Sequence, residues 1–158
     1  ATKPDEHGIA RFAMACPALP TCGLALAEAE RVAPALVAPV AEYLREIGMD
    51  GERLSIRMTG CPNGCARPYM GDIGIVGRSK ELYALFLGGD WANTRLNELY
   101  ADAVPAQDLL PTLQPLLRLW RDGRKSRETF GDFCHRVGLA ALRERTQAMQ
   151  ADISHQEK

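Results

Sequence analysis

Four of the chain's five cysteines fall into two pairs whose surroundings suit a metal-sulfur site. Cys61 and Cys65 sit in Thr59-Gly60-Cys61-Pro62-Asn63-Gly64-Cys65. The Pro-Asn-Gly turn between them lets both thiols face one side of a bent backbone, and the glycines at 60 and 64 let main-chain amides approach closely. Cys16 and Cys22 bracket Pro17-Ala18-Leu19-Pro20-Thr21. Two pairs give four thiolates, the complement of a cubane iron-sulfur cluster or of a tetrahedral zinc. Structural zinc sites take their cysteines from short knuckles, whereas the five residues between Cys16 and Cys22 suit a larger group. Both metals stay open on spacing alone. Cys134, between Phe133 and His135, reads instead as a small buried hydrophobe. Side chains adjacent in sequence diverge on a helix or strand, so a Cys134-His135 catalytic pair is not expected, and no catalytic residue is assigned.

The composition bounds what such a site can serve. At 158 residues the chain is expected to form one unit, residues 1–158. With 46% apolar residues, 25% charged and a net charge of -1, it has the balance of a globular protein and no electrostatic footprint for nucleic acid or an anionic membrane. No apolar run approaches a membrane span and no export signal precedes the first cysteine, so the expected compartment is the cytoplasm. There an odd number of cysteines does not form a disulfide framework, which leaves metal or redox chemistry. The chain begins at Ala1 without a methionine and reaches Cys16 early, which reads as a fragment of a longer protein.

The elements that must position the thiols follow from periodicity. Residues 1–8 are polar and read as a frayed lead-in, with an extended piece over 9–15 delivering Cys16. Thr21 is placed to cap a helix running from Cys22 or Gly23 to about Val32, which would set Cys22 at a helix N-terminus where the dipole favours a thiolate. Leu36, Val40, Leu44 and Ile47 form the buried stripe of a second helix, opened by Pro34, disturbed by Pro39 and ended by Gly48. Residues 54–59 alternate as a half-buried strand that feeds Cys61, and 72–77 and 82–87 read as two further strands stopped by Gly88-Gly89. Beyond Thr94 the pattern reads as helical. Leu109, Leu113, Leu117 and Trp120 form a stripe bent by Pro111 and Pro115; a polar stretch over 121–128, a segment over 130–137 and a last helix over 139–150 follow, with 153–158 fraying. The fold class expected is α+β, helices packed on a small mixed sheet of at least three strands.

The two cysteine segments also resemble a family. Cys16-Pro17-Ala18-Leu19-Pro20-Thr21-Cys22-Gly23-Leu24-Ala25 with Glu28-Ala29-Glu30-Arg31, and Arg57-Met58-Thr59-Gly60-Cys61-Pro62-Asn63-Gly64-Cys65-Ala66-Arg67-Pro68, resemble the C-terminal cluster-binding part of siroheme-dependent sulfite reductases. Leu87-Gly88-Gly89-Asp90 and Phe130-Gly131-Asp132-Phe133 extend the resemblance over nearly the whole chain. It implies that Cys16, Cys22, Cys61 and Cys65 hold a 4Fe-4S cluster, with Cys65 also bridging to siroheme, in an enzyme that reduces sulfite to sulfide by six electrons. Gly60 and Gly64 amides would donate to cluster sulfurs, and Arg57 and Arg67 would offset its charge and meet siroheme carboxylates.

The related nitrite reductases share both cysteine spacings and are the second reading. They typically carry Ser at the position of Gly64 and a more polar insert over residues 17–21, both of which favour sulfite here. A non-catalytic four-cysteine interaction module is the third. Ala66-Arg67-Pro68 and Phe133-Cys134-His135-Arg136 resemble ferredoxin-dependent enzymes more than the haemoprotein partner of an NADPH flavoprotein. In this family the basic residues that grip sulfite precede the first cysteine pair, so the resemblance assigns none in this chain and implies that the isolated fragment is inactive.

Overall fold

The computed structural model describes residues 8–156, with residues 150 and 152–156 as backbone only. The sequence-stretch readings for 1–7 and 157–158 lie outside the described residues. In chain order the elements are β1 (Met14–Ala15), α1 (Val32–Glu46), β2 (Ile56–Thr59), β3 (Ile73–Ser79), β4 (Leu82–Leu87), β5 (Glu98–Pro105), α2 (Leu109–Gly123), α3 (Phe130–Val137) and α4 (Leu139–Gln156). Three short 3-10 turns join them at Ala10–Phe12, Pro68–Met70 and Ala106–Asp108. The architecture is α+β, as expected.

The five strands form one mixed sheet in sequence order, β1 and β2 pairing in parallel, β2 and β3 in parallel, and β3, β4 and β5 antiparallel. Alternation along the strands turns Ile56, Met58, Ile73, Ile75, Tyr83, Leu85 and Leu87 into one core with the apolar stripes of the helices. Leu36, Val40 and Leu44 from α1 enter it, as do Leu109, Leu113, Leu117 and Trp120 from α2. Helix α1 runs through Pro39 and stops at Gly48, whose φ of 76° is the left-handed conformation that glycine adopts without strain. There Met49 N donates to Leu44 O and Gly48 N to Arg45 O, the paired bonds of a Schellman cap, with Met49 buried behind it.

A buried carboxylate fixes the far end of this core. Asp72 accepts hydrogen bonds from Ser55 N (2.8 Å), Ser55 Oγ (2.7 Å) and Gly131 N (2.9 Å), joining the approach to β2, the start of β3 and the N-terminus of α3. Burial pushes its pKa above the ordinary carboxylate value against the pull of those donors. Gly131 is required because a Cβ there would run into Gly89 O, so α3 lies directly on the Gly88-Gly89 corner.

Helix α4 runs on to Gln156, past the expected end at 150 and into the stretch expected to fray, and three further expectations fail. Residues 22–31 form no helix: Leu26 N (2.8 Å) and Ala27 N (3.0 Å) are both taken by Gly60 O, and this non-local acceptor outcompetes the helix propensity of the Ala/Leu/Glu-rich stretch. Thr21 therefore caps nothing and Cys22 does not sit at a helix N-terminus. Residues 98–105 are a strand, not a helix. As an edge strand, β5 buries only Val104 fully and shows no clean alternation, while its backbone pairs with β4 from Leu82↔Pro105 to Leu87↔Glu98. The extended piece over 9–15 shrinks to β1, because Ala10–Phe12 turns as a 3-10 helix.

Candidate metal-sulfur centre

Both cysteine segments leave the sheet at the carboxyl ends of adjacent parallel strands. Strands β1 and β2 run in parallel with Met14 opposite Arg57 and Ala15 opposite Met58, so Cys16 and Gly60 emerge from adjacent strand ends. The ladder continues one step further, with Cys16 N donating to Met58 O at 3.1 Å. Residues 60–72, which carry Cys61 and Cys65, form the crossover from β2 to parallel β3. The carboxyl ends of parallel strands are where open sheets present ligand-binding loops.

Gly60 is the point on which the first loop closes. Its carbonyl accepts from Leu26 N and Ala27 N, and its amide donates to Cys16 Sγ at 3.4 Å. A Cβ on Gly60 would lie 2.5 Å from Ala27 O and 2.6 Å from Ala18 Cβ, so no side chain fits between β2 and this loop. A Cβ on Gly77 of β3 would likewise run into Gly60 O and stand 2.8 Å from Ala27 Cβ. Ala18 holds φ at 51°, costing about 1–2 kcal/mol for a residue with a Cβ, and is kept there by nearly complete burial against Gly60. Cys22 N closes the inner turn on Ala18 O at 2.7 Å.

The second loop is a run of turns. Gly64, at φ 71°, reverses the chain, and Arg67 N donates to Gly64 O at 2.7 Å. Tyr69 braces it from outside: its hydroxyl donates to Pro62 O at 3.3 Å and its ring packs edge-on against Phe86 at 5.1 Å. Asn97 anchors the exit, donating from Nδ2 to Pro68 O (2.7 Å) and Gly71 O (3.0 Å).

The four thiols differ in exposure: Cys61 is buried, Cys16 and Cys22 are half-buried and Cys65 is exposed. Among the described residues, no three His, Cys, Asp or Glu side chains stand close enough to hold one metal ion. The two loops are thus brought together without forming a closed single-ion site. A cubane spreads its four cysteine ligands over four irons, and a donor set of four thiols carried on two loops that meet at Gly60 suits the chemistry of that larger group. Two residues past Cys65 in the chain, Arg67 O accepts from Arg57 Nη1 at 3.5 Å. Burial first, and the Arg67 charge second, lower the Arg57 pKa, a like-charge cost that an anion placed there would relieve.

Cys134 stands apart. It is fully buried on α3, and burial raises its thiol pKa well above the ordinary value, as for an inert packing cysteine. Cys134→Ala is expected to leave iron content unchanged and to cost about 1 kcal/mol of stability, checked by iron analysis and a urea midpoint. Thr59, which precedes Gly60 and Cys61, carries a feature that sequence reasoning did not single out. Its hydroxyl is buried beside Gly60 with no hydrogen-bond partner among the described residues, and only the fold reveals that.

Comparison with known proteins covers these same features. The sequence pattern of the nitrite and sulphite reductase 4Fe-4S domain matches residues 10–152. The chain is 54% identical over 127 residues to the sulfite reductase [NADPH] hemoprotein beta-component of Acidithiobacillus ferrooxidans, covering 80% of this chain and 23% of that protein. It is 46% identical over 144 residues to the sulfite reductase [ferredoxin] of Synechococcus elongatus, covering 91% of this chain and again 23% of the relative. The chain thus spans about a quarter of the length of these relatives. Among solved structures, the NirA protein of Mycobacterium tuberculosis superposes with a TM-score of 0.75 at 25% identity, over 89% of this chain and 27% of that one. Dissimilatory sulfite reductase I shares the fold, with a TM-score of 0.64 at 11% identity over 86% of this chain and 52% of that one. The matched residues include both cysteine loops and the whole sheet that carries them, and the chain belongs to the nitrite and sulphite reductase 4Fe-4S domain family.

Proposed function

We propose that residues 1–158 form one unit of a longer assimilatory sulfite reductase, the part that carries a 4Fe-4S cluster and faces siroheme. The observation that carries this is the closure of the first cysteine loop on Gly60, the residue immediately before Cys61. Cys16, Cys22 and Cys61 are the cluster ligands. Cys65, the most exposed of the four thiols, would be the fourth ligand and, as the family resemblance implies, the bridge to siroheme. Arg57 and Arg67 meet siroheme carboxylates with paired positive charge. When bound, the coupled cofactors supply the one-electron transfers, six in all, that take sulfite to sulfide. This chain's part is to hold the thiolates and place Gly60 N against Cys16 Sγ. The residues that grip sulfite belong to the rest of the protein.

Sulfite is favoured over nitrite by the named sulfite reductases among the relatives and by Gly64. For the electron donor we propose ferredoxin, on the Ala66-Arg67-Pro68 and Phe133-Cys134-His135-Arg136 segments. An NADPH flavoprotein is the second reading, favoured by the 54% identity to the NADPH-type hemoprotein. Among the described residues no helix is long and apolar enough to cross a membrane, and a reducing cytoplasm suits five free thiols. The test is sulfite- and nitrite-dependent oxidation of reduced ferredoxin, and of an NADPH flavoprotein, by the complete protein. Sulfite turnover with ferredoxin is expected to exceed the other combinations; turnover with nitrite alone would assign the chain to the other branch of the family.

A further inference from the structure

Thr59 is the last residue of β2, fully buried, and its Oγ1 has no hydrogen-bond partner among the described residues. Buried hydroxyls are normally paired, so an orphan directly preceding Gly60-Cys61 calls for a group that the protein chain does not itself provide. Its surroundings narrow what that group is. On one side Thr59 pairs with Val76 of β3, which offers no acceptor side chain. On the other, the β1–β2 register carried one step past Ala15↔Met58 places Cys16 opposite Thr59, on the same sheet face and about 4.8 Å away across the strands. The amide of the next residue, Gly60, already donates to Cys16 Sγ. Of the two side chains that the strand registers set beside Thr59, Val76 and Cys16, Cys16 carries the acceptor, and that acceptor is sulfur.

We propose that the Thr59 hydroxyl donates a hydrogen bond to sulfur of the cluster centre, and thereby raises the reduction potential of the cluster. Reduction adds negative charge that spreads onto the sulfurs, so a donor stabilises the reduced state more than the oxidised one. Thr59 is a positioning and tuning residue, not a ligand. This inference rests on the four-cysteine cluster reading above.

The experiment is a redox titration of the cluster in the complete siroheme-containing protein, followed by optical and EPR spectra, for wild type, Thr59→Val and Thr59→Ser. Val keeps the branched shape without the donor, whereas Ser keeps the donor in a smaller side chain. At a fixed applied potential, Thr59→Val is expected to show about a tenfold lower ratio of reduced to oxidised cluster, equivalent to about 59 mV for one electron, and Thr59→Ser a ratio near wild type. Loss of the cluster from Thr59→Val but not from Thr59→Ser would support the same donor. A wild-type ratio in Thr59→Val, or the same shift or cluster loss in both variants, would overturn the inference and leave the cluster reading intact. A wild-type protein lacking a 4Fe-4S cluster would remove both.

Discussion

Cys65→Ser in the complete protein is expected to abolish six-electron reduction of sulfite while part of the cofactor complement remains bound. Serine offers a harder, more basic oxygen that binds iron less well than a thiolate and bridges poorly to a haem iron. Cys65 is also the exposed member of the set, so its replacement disturbs the buried side of the loop least. Cys16→Ser is expected to act differently. Cys16 lies inward, receives the Gly60 amide at 3.4 Å and continues the β1–β2 ladder, so its replacement should show mainly as lost cluster. The comparison is sulfite turnover per bound siroheme and per cluster in the two variants. Full turnover per cofactor in Cys65→Ser would leave that residue an ordinary ligand at most.

The second large effect is expected from a single methyl group. Gly60→Ala places a Cβ 2.5 Å from Ala27 O and 2.6 Å from Ala18 Cβ, contacts that only a backbone shift relieves. That shift pulls Gly60 O from Leu26 N and Ala27 N and moves the first cysteine loop off the second. Overpacking and the weakened bonds together should cost about 3 kcal/mol, and most of the cluster should be lost. Gly23→Ala in the same loop is the control: a Cβ there meets nothing within 4 Å, so cluster content should stay at the wild-type level. Equal cluster content in both variants would show that Gly60 is not where the two loops meet.

What could be read from the residues, and what could not, divides along a physical line. The strand over 82–87 and the stripes of α1 and α2 are local patterns, and each is found in the fold. The Leu24 to Ala29 stretch has good helix formers, yet Leu26 N and Ala27 N go to Gly60 O, an acceptor far away in sequence that no local pattern announces. Strand β5 was hidden for the opposite reason. Glu98, Leu99, Asp102 and Ala103 are exposed, so its place in the sheet is set by backbone pairing with β4 and not by an apolar face. At the site, Gly60 and Gly64 were legible as positions of close approach, but they serve different needs. Gly60 admits Ala27 O, and Gly64 supplies a left-handed turn. The unpaired hydroxyl of Thr59 has no sequence signal at all, since a threonine ending a strand is ordinary until its surroundings are known.

The central claim is that thiolates from two separate loops hold one cluster. Its most direct test is iron, acid-labile sulfide and low-temperature EPR of the reduced complete protein, for wild type and for variants with each cysteine pair replaced by serine. A 4Fe-4S complement is expected in wild type, beyond the siroheme iron, with its loss when either Cys16 and Cys22 or Cys61 and Cys65 are replaced. A full cluster retained after replacement of either pair would contradict it.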